Sequence, residues 1–550
     1  MAELDSLIDS LIQQRIAGEV SYLDDKENES LKVEQIPSKG QGVFAKQFLS
    51  VNNPICALRF PTVAAIDASF LQTTCYHCLI VTATQLPLQQ SGLASVELKT
   101  CSGCLSARFC SRQCQVESWR AYHKYECKIF KKLRGNLPPT ILRAVLRMVL
   151  LKDRDLLPED EWNRIVSLTA HDEILAARGR SNITEMAESI KHLAESGMSV
   201  DMIQKLIFIM KFNAIELPTP IHGPIGVMLQ PIVGKFNHNC EPNVALHRSQ
   251  HTMTSNWMNS TELSEDERRT FGYIVPLRDI QPGEELLNCY VVPTVSVGER
   301  KAKFQADYFF ECSCPRCQLD STAATDLSNT QPTLQAQFEQ WTKDVQRHLS
   351  RIGENPDAFQ KAAAAMDKSE RFLDYPVLYT TGDFPELAMT LVQEGVQAQA
   401  LDAALINLLR TYFLVYPRRL IGRHNPTNIY SMFLILALLD AIIGISTAPE
   451  PAKDRRGKWL TNLSDRGLDK ASLFYWRCRL CADLRKRVEG SAVKDLLNLI
   501  EQLEERAKNF KDEDNSSQGE TLEGRAEDGM RAVLRLKEPQ WKSVLQENGC

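Results

Sequence analysis

The sequence carries no strong charge of either sign: 64 Lys and Arg stand against 69 Asp and Glu, a net charge of -5. That balance argues against a surface built to coat nucleic acid. The opening residues do not read as a secretory leader. Leu4, Leu7, Ile8, Leu11 and Ile12 alternate with Glu3, Asp5 and Asp9, the pattern of an amphipathic helix with acidic faces rather than a basic start followed by an apolar run. Long apolar stretches are scarce. The strongest, Ile429 to Thr447, has Asp440 near its centre, follows Pro426, and ends with Gly444 ahead of Pro449. A buried helix is expected there, not a membrane span. No fixed-period repeat emerges. Apolar content of 43% and charged content of 24% are those of a soluble globular chain, and 550 residues correspond to about two to four domains with ample chain for a core.

What the chain does have is cysteine in an ordered pattern. Of its 16 cysteines, 11 fall into two clusters. The first reads Cys75-x2-Cys78, Cys101-x2-Cys104, Cys110-x3-Cys114 and His123-x3-Cys127. The second is Cys312-Ser313-Cys314-Pro315-Arg316-Cys317, with Cys240 upstream in Asn237-His238-Asn239-Cys240. Thiolate and imidazole suit tetrahedral zinc, and donors two or three residues apart let one loop present both to one ion. Seven cysteines and one histidine suffice for two closed structural sites, and the remaining four cysteines for a third. Reduced, metal-bound thiols fit the cytoplasm or nucleus. His77, between Cys75 and Cys78, is read as a spare surface histidine, because eight donors close the two sites without it. Cys56, Cys289, Cys478, Cys481 and Cys550 are left over. Cys478-x2-Cys481 lies in a helical stretch without a second donor pair and is read as packing.

Periodicity orders the rest. Residues 31–66 read as short strands punctuated by the Gly40-Gln41-Gly42 turn. Residues 138–217 read as helices, with Ile141, Leu142, Val145, Leu146 and Val149 at helical spacing. Strand signals return between Val227 and Val292, with a turn at Gln281-Pro282-Gly283-Glu284. Beyond 330 the pattern is helical, in runs near 335–350, 359–373, 385–415, 428–445, 460–487 and 490–510. The charged stretch 511–527 reads as a disordered link to a last helix, 528–546. The polar loop from Gln85 to Gly92 is expected to bulge from the cysteine module. The basic run Arg120, Lys124, Lys128, Lys131, Lys132 and Arg134 is read as a solvated helix face.

Taken in order, the motifs are a Gly-x-Gly-Val-Phe-Ala strand, a Cys/His module, Asn-His-x-Cys-x-Pro-Asn, Pro-Gly-Glu-Glu-Leu leading to Tyr290, and Cys-x-Cys-x2-Cys. Over residues 30–320 this order resembles the SET and MYND domain-containing protein lysine methyltransferases. The resemblance implies an α+β fold with a β-rich SET core. An N-terminal helix (1–29) precedes the first part of the core (30–74). A MYND zinc module (75–127) and a helical insertion (128–210) interrupt it, and the core resumes over 211–292. A cysteine-rich post-SET segment (293–320) and an all-α C-terminal domain (330–550), built of TPR-like helical hairpins, follow.

The same resemblance implies S-adenosylmethionine as methyl donor, three structural zinc ions, and a protein substrate whose acceptor lysine lies in a histone or another protein. Lys39, Gly40 and Gly42 would approach the cofactor by backbone. Asn237 and His238 would hydrogen-bond it, and Asn213 would contact it. Tyr290 would orient donor and acceptor, Tyr308 would line the lysine channel, and Phe310 would stack beside the adenine. One zinc would sit on Cys75, Cys78, Cys110 and Cys114, a second on Cys101, Cys104, His123 and Cys127, and a third on Cys240, Cys312, Cys314 and Cys317. Burial among aromatic rings suits such a site, since a lysine of ordinary pKa about 10.4 must react neutral. The 22 residues between Cys78 and Cys101 exceed the usual family length. A second function class stays open: a scaffold whose MYND fingers recruit proline-containing peptides while the SET core is degenerate. A monomer is expected, with neither nucleic acid nor membrane as its main partner.

Overall fold

The computed structural model describes residues 30–548 except 38, 52, 62, 83–96, 134, 172–180, 218–223, 250–269, 293, 356, 381, 421, 423–424, 445–452, 489–494 and 509–520. The expected helix over 1–29 and the Gln85–Gly92 bulge lie outside the described residues. The remainder divides into two compact units. The first takes the described residues of 1–83, 93–237 and 246–286, and the second those of 238–245 and 287–550.

The strands are short: β1 (Leu31–Ile36), β2 (Gly40–Ala45), β3 (Cys56–Arg59), β4 (Val63–Ile66), β5 (Lys99–Thr100) and β6 (Arg108–Phe109). Helices follow as α1 (Arg112–Ser118), α2 (Lys124–Leu133), α3 (Thr140–Lys152), α4 (Glu159–Val166), α5 (Ser181–Ala194) and α6 (Val200–Asn213). The chain then returns to strand as β7 (Ile215–Glu216), β8 (Gly226–Leu229), β9 (Asn237–His238), β10 (Val244–Arg248), β11 (Thr270–Pro276) and β12 (Glu285–Asn288). In the first unit β1 and β2 form a hairpin with Val33 opposite Val43. Glu285 and Leu286 of β12 pair with Phe44 and Val43 on the far side of β2. A second sheet has the order β10–β11–β3 and a third β4–β8–β7.

α3 explains how one sheet edge is covered. It is buried nearly all round, yet it carries Arg143 and Arg147. Strand β4 lies at the edge of its sheet, so its outward carbonyls need partners away from water. Arg143 donates to the Ile66 carbonyl at 2.6 Å and Arg147 to that of Ala64 at 2.8 Å. The helix thus packs by its apolar residues and seals the strand edge by its guanidinium groups.

In the second unit α7 (Val297–Lys303) opens on a capping box. Ser296 Oγ accepts from the Glu299 N–H, and the Glu299 carboxylate accepts from the Ser296 N–H. A π-helical turn, Phe304–Tyr308, ends it, with Phe309 left-handed at φ 60°. Wide turns of this kind re-aim the side chains that follow. α8 (Pro315–Thr330) starts on a proline suited to a first helical turn. Periodicity gave no sign of it, because only Cys317, Asp320 and Leu327 are buried along its length.

Helices continue as α9 (Pro332–Leu349), α10 (Ala358–Met366), α11 (Pro376–Tyr379), α12 (Asp383–Gln397), α13 (Leu401–Arg410), α14 (Tyr416–Arg419), α15 (Pro426–Ile443), α16 (Lys453–Ser464), α17 (Lys470–Val488), α18 (Asp495–Lys508), α19 (Leu522–Leu534) and α20 (Glu538–Asn548). The run expected over 385–415 breaks at Gln399, which is left-handed at φ 55°, and that over 460–487 breaks at Gly467, φ 93°. Part of the expected link is helix. Thr521 Oγ1 accepts from the Gly524 N–H and starts α19 at Leu522, so a cap outweighs the polar composition there. Among the described residues one helix, α15, is long and apolar enough to cross a membrane, and it is 94% buried inside the protein. Its Asp440 pairs with Arg477 of α17 at 2.8 Å. Cys481 is buried, whereas Cys478 is exposed, so the packing expected of both holds for one.

Candidate metal centres and aromatic site

Three sets of donor atoms converge, each within 4.8 Å of one another: Cys75, Cys78, Cys110 and Cys114; Cys101, Cys104, His123 and Cys127; Cys240, Cys312, Cys314 and Cys317. Tetrahedral zinc with Zn–S of about 2.3 Å requires sulfurs about 3.8 Å apart. The spacings match: Cys78–Cys110 and Cys110–Cys114 at 3.5 Å, Cys101–Cys127 at 3.8 Å, and Cys240–Cys317 at 3.5 Å. His123 turns Nε2 to the sulfurs of Cys101 and Cys104, at 3.5 and 3.7 Å. Each donor set fits one zinc ion.

The first two sets are interleaved along the chain, and each begins with the same knuckle. Leu79 N–H donates to the Cys75 carbonyl and Leu105 N–H to that of Cys101, both at 3.0 Å. Each leucine is left-handed, at φ 61° and 60°. The turn aims both cysteines of the pair at one point. Inside the second knuckle a Cβ on Gly103 would lie 2.8 Å from Cys127 Sγ, so the absent side chain is what lets the fourth ligand close. His77 is no ligand, but it is not spare either. Its Nε2 lies 3.0 Å from Glu117 Oε2 and its Nδ1 3.3 Å from the Tyr122 hydroxyl.

Behind His123 stands a buried ion pair that spacing did not reveal. Glu126 Oε2 is 3.8 Å from His123 Nδ1, and the carboxylate takes Arg147 at 2.7 and 3.2 Å. Burial opposes its ionisation, but Arg147 and His123 together outweigh burial and hold its pKa at about 2. At that distance the carboxylate acts on His123 by its charge rather than by a hydrogen bond. A negative charge on the far side of a metal-bound imidazole strengthens it as a ligand.

The third set sits in the second unit against an aromatic group. Val291 and the fully buried Phe304 pack with Cys240, Cys312 and Cys317, and Tyr290, Tyr308 and Phe310 lie half-buried against them. Tyr290 and Tyr308 approach at 5.0 Å between ring centroids, and Phe304 stacks on Phe310 at 5.1 Å. His238 lies among them, 4.3 Å from Phe304, 5.2 Å from Tyr290 and 5.9 Å from Phe310. Its Nδ1 accepts the Tyr290 N–H at 3.0 Å, which leaves the proton of the neutral ring on Nε2, 3.3 Å from Cys240 Sγ. Burial pushes the His238 pKa down to about 4, so the ring is neutral at physiological pH. Both ring nitrogens are therefore engaged within the protein. The ring joins the Tyr290 backbone to Cys240, and a cofactor hydrogen bond from the side chain would displace one of these two contacts.

The other expected binding residues belong to the first unit. Gly40 is left-handed at φ 80° and open, and Lys39 beside it is exposed. Gly42 is tightly enclosed. A Cβ there would meet Glu285 Oε1 at 2.9 Å and Asn237 Nδ2 at 3.1 Å, the two atoms that hydrogen-bond each other at 2.7 Å. Asn237 Nδ2 also donates to the Gln41 carbonyl at 3.0 Å. Asn213, buried at the end of α6, donates to the carbonyls of Thr169 and Ile209 at 2.8 and 3.0 Å. Both amides thus spend their N–H groups inside the protein and keep their oxygens as acceptors.

Residues 75–127 match the family model of the MYND finger. Across 297 residues the chain is 26% identical to the "SET domain and MYND-type zinc finger protein 6" of Schizosaccharomyces pombe, covering 52% of each. It is also 26% identical over 272 residues to the human "Histone-lysine N-methyltransferase SMYD3", covering 48% of this chain and 56% of that one. The chain spans about half the length of the curated relatives it matches. A solved structure titled "Crystal structure of the SET domain of LSMT bound to Lysine and AdoHcy" aligns over 91% of the chain at 12% identity with a TM-score of 0.25, a superposition too loose to define a shared fold. The chain is similar to the SET and MYND domain-containing proteins, as the order of its motifs implied.

Proposed function

We propose that this chain is an S-adenosylmethionine-dependent protein-lysine N-methyltransferase acting on a histone or another protein. The observation that carries the reading is the half-buried aromatic group of Tyr290, Tyr308 and Phe310, packed on a four-cysteine cluster. In this reading the strands β1–β4 and β7–β12 form the SET core, residues 293–320 the post-SET segment, and the helices beyond 330 a TPR-like C-terminal domain.

S-adenosylmethionine would supply a methyl group on a sulfonium sulfur, and the remaining work falls to the chain. Aromatic faces attract a sulfonium by their negative quadrupole. The same rings keep water from the acceptor amine and so favour its neutral form. Tyr290 and Tyr308 are assigned to aligning that amine, and Phe310 to covering the adenine. Lys39, Gly40, Gly42, Asn213, Asn237 and His238 are assigned to binding. The free side-chain oxygens of Asn213 and Asn237 suit a ligand rich in N–H donors, such as an ammonium or an adenine amino group. His238 acts through the Tyr290 backbone that it holds. The zinc ions are structural in this scheme, since each has four protein donors and no open position. Leu105 and Trp119 are exposed on the MYND module and give a proline-containing peptide an apolar place to dock.

The test is transfer of radiolabelled methyl groups to proteins in a cell extract. Tyr290→Phe is expected to lose most of the labelling while keeping its fold and zinc content, and unchanged turnover would remove the assigned role. His238→Ala is expected to weaken cofactor binding by calorimetry, and wild-type affinity would count against its holding of Tyr290.

A further inference from the structure

Behind the third cluster runs a buried chain of charges that methyl transfer itself does not use. Arg300, fully buried on α7, directs Nη2 toward Cys317 Sγ at 3.9 Å and toward Asp320 Oδ2 at 2.6 Å. Its Nη1 donates to the Val295 carbonyl at 2.5 Å. Asp320 lies one turn beyond Cys317 on α8. Both of its oxygens accept from Arg419 of α14 at 2.8 Å, and Arg419 Nη2 donates to Thr380 Oγ1 at 2.9 Å. All four side chains are buried. Other charges beside the cluster pair nearer to solvent, Arg316 with Glu241 at 2.8 Å and Lys301 with Glu311 at 4.0 Å.

The chemistry of the donors gives this arrangement a purpose. Four thiolates on a divalent ion leave about two net negative charges, and burying them needs nearby positive charge or donors. Two arginines sharing one aspartate leave one net positive charge against the cluster. The contact is directional, since the guanidinium points at the sulfur of Cys317. Its far end is anchored in helices that follow residue 376.

We propose that Arg300, Asp320 and Arg419 form a positioning relay for the third metal site. Arg300 counters the charge on the thiolates, and Asp320 and Arg419 tie their retention of zinc to the C-terminal helices. The inference rests on that cluster holding zinc. Alkylation of cysteines in the full chain, mapped by peptide mass spectrometry, tests it. In Arg300→Met, Cys240, Cys312, Cys314 and Cys317 are expected to label roughly tenfold faster or more, the usual effect of losing a group behind a metal ligand, while the cysteines of 75–127 keep their rate. Arg300→Lys should recover part of the protection, and Arg419→Met should accelerate labelling less than Arg300→Met. Arg477→Met, which breaks the similarly buried pair with Asp440, should leave all four cysteines at the wild-type rate. In cobalt-substituted protein, Arg300→Met should move the thiolate-to-metal absorption to longer wavelength.

A wild-type labelling rate in Arg300→Met, or equal acceleration in Arg477→Met, overturns the relay. Should Arg300→Met fail to fold, seen as labelling of the 75–127 cysteines too, Arg419→Met against Arg477→Met decides, and equal rates overturn it. Metal analysis separates this from failure of the zinc assignment. Wild-type protein with two zinc ions and four freely labelled cysteines would overturn both.

Discussion

The two metal-bearing regions place opposite charges behind their ligands. In the first unit the carboxylate of Glu126 stands 3.8 Å behind His123, and in the second the guanidinium of Arg300 stands 3.9 Å from Cys317. The ligand decides the sign. A metal-bound imidazole is neutral and offers an N–H, so it wants an acceptor. A thiolate carries charge and lone pairs, so it wants a donor. Each of these buried charges then needs its own counter-ion, supplied by Arg147 in one unit and Asp320 in the other. One rule thus yields two opposite constructions.

The largest effect that can test this contrast comes from removing the metal. Among the described residues of 75–127 the buried apolar side chains besides the ligands are Tyr76, Leu79, Ile80, Ala107 and Phe109. That is a small core, so a strong chelator is expected to unfold the module, with a loss on the order of 10 kcal/mol per site. Circular dichroism and cysteine labelling would register the change, and a module that stays folded without metal would break the comparison at its base. Next comes Arg147→Met, which leaves Glu126 buried and unpaired and is expected to destabilise the first unit by about 3–5 kcal/mol in urea titration. It should expose Cys101, Cys104 and Cys127 to labelling while Cys240, Cys312, Cys314 and Cys317 keep their rate. Equal exposure of both sets would show that the regions do not act separately.

Gly103→Ala is expected to cost about 1–3 kcal/mol, because its Cβ would lie 2.8 Å from Cys127 Sγ. Faster zinc release from the Cys101, Cys104, His123 and Cys127 set would be the readout. The smallest effect is a gain. Leu105 is 70% exposed and left-handed, so Leu105→Gly should raise stability by about 1 kcal/mol, measured as a higher Tm with unchanged zinc content.

The donor pairs were legible in the sequence because their spacing is local, two or three residues apart. The grouping of pairs into sets and the place of Cys240, 77 residues from Cys317, came from the family resemblance. The charged groups behind them were not legible. Glu126 and Arg147 are 21 residues apart, Arg300 and Asp320 20, and Arg419 and Asp320 99. A charged residue in a helical pattern also reads as solvent-facing, which hid both pairs. The course of α8 was hidden for a related reason, since it lacks a continuous apolar stripe. His238 was recognisable from its motif, but its hydrogen bonding was not, because the N–H that occupies Nδ1 belongs to Tyr290, 52 residues away. The hairpin of β1 and β2, the helices of 140–213 and the buried α15 followed from period and turn residues, since each is fixed by neighbours in sequence.

The most direct test of the account follows methyl transfer and cysteine labelling together as a chelator is added stepwise to the full chain. The account predicts that activity falls in step with exposure of Cys240, Cys312, Cys314 and Cys317, the cluster on which Tyr290, Tyr308 and Phe310 pack. Methyl transfer that persists after all four of those cysteines are labelled would contradict it.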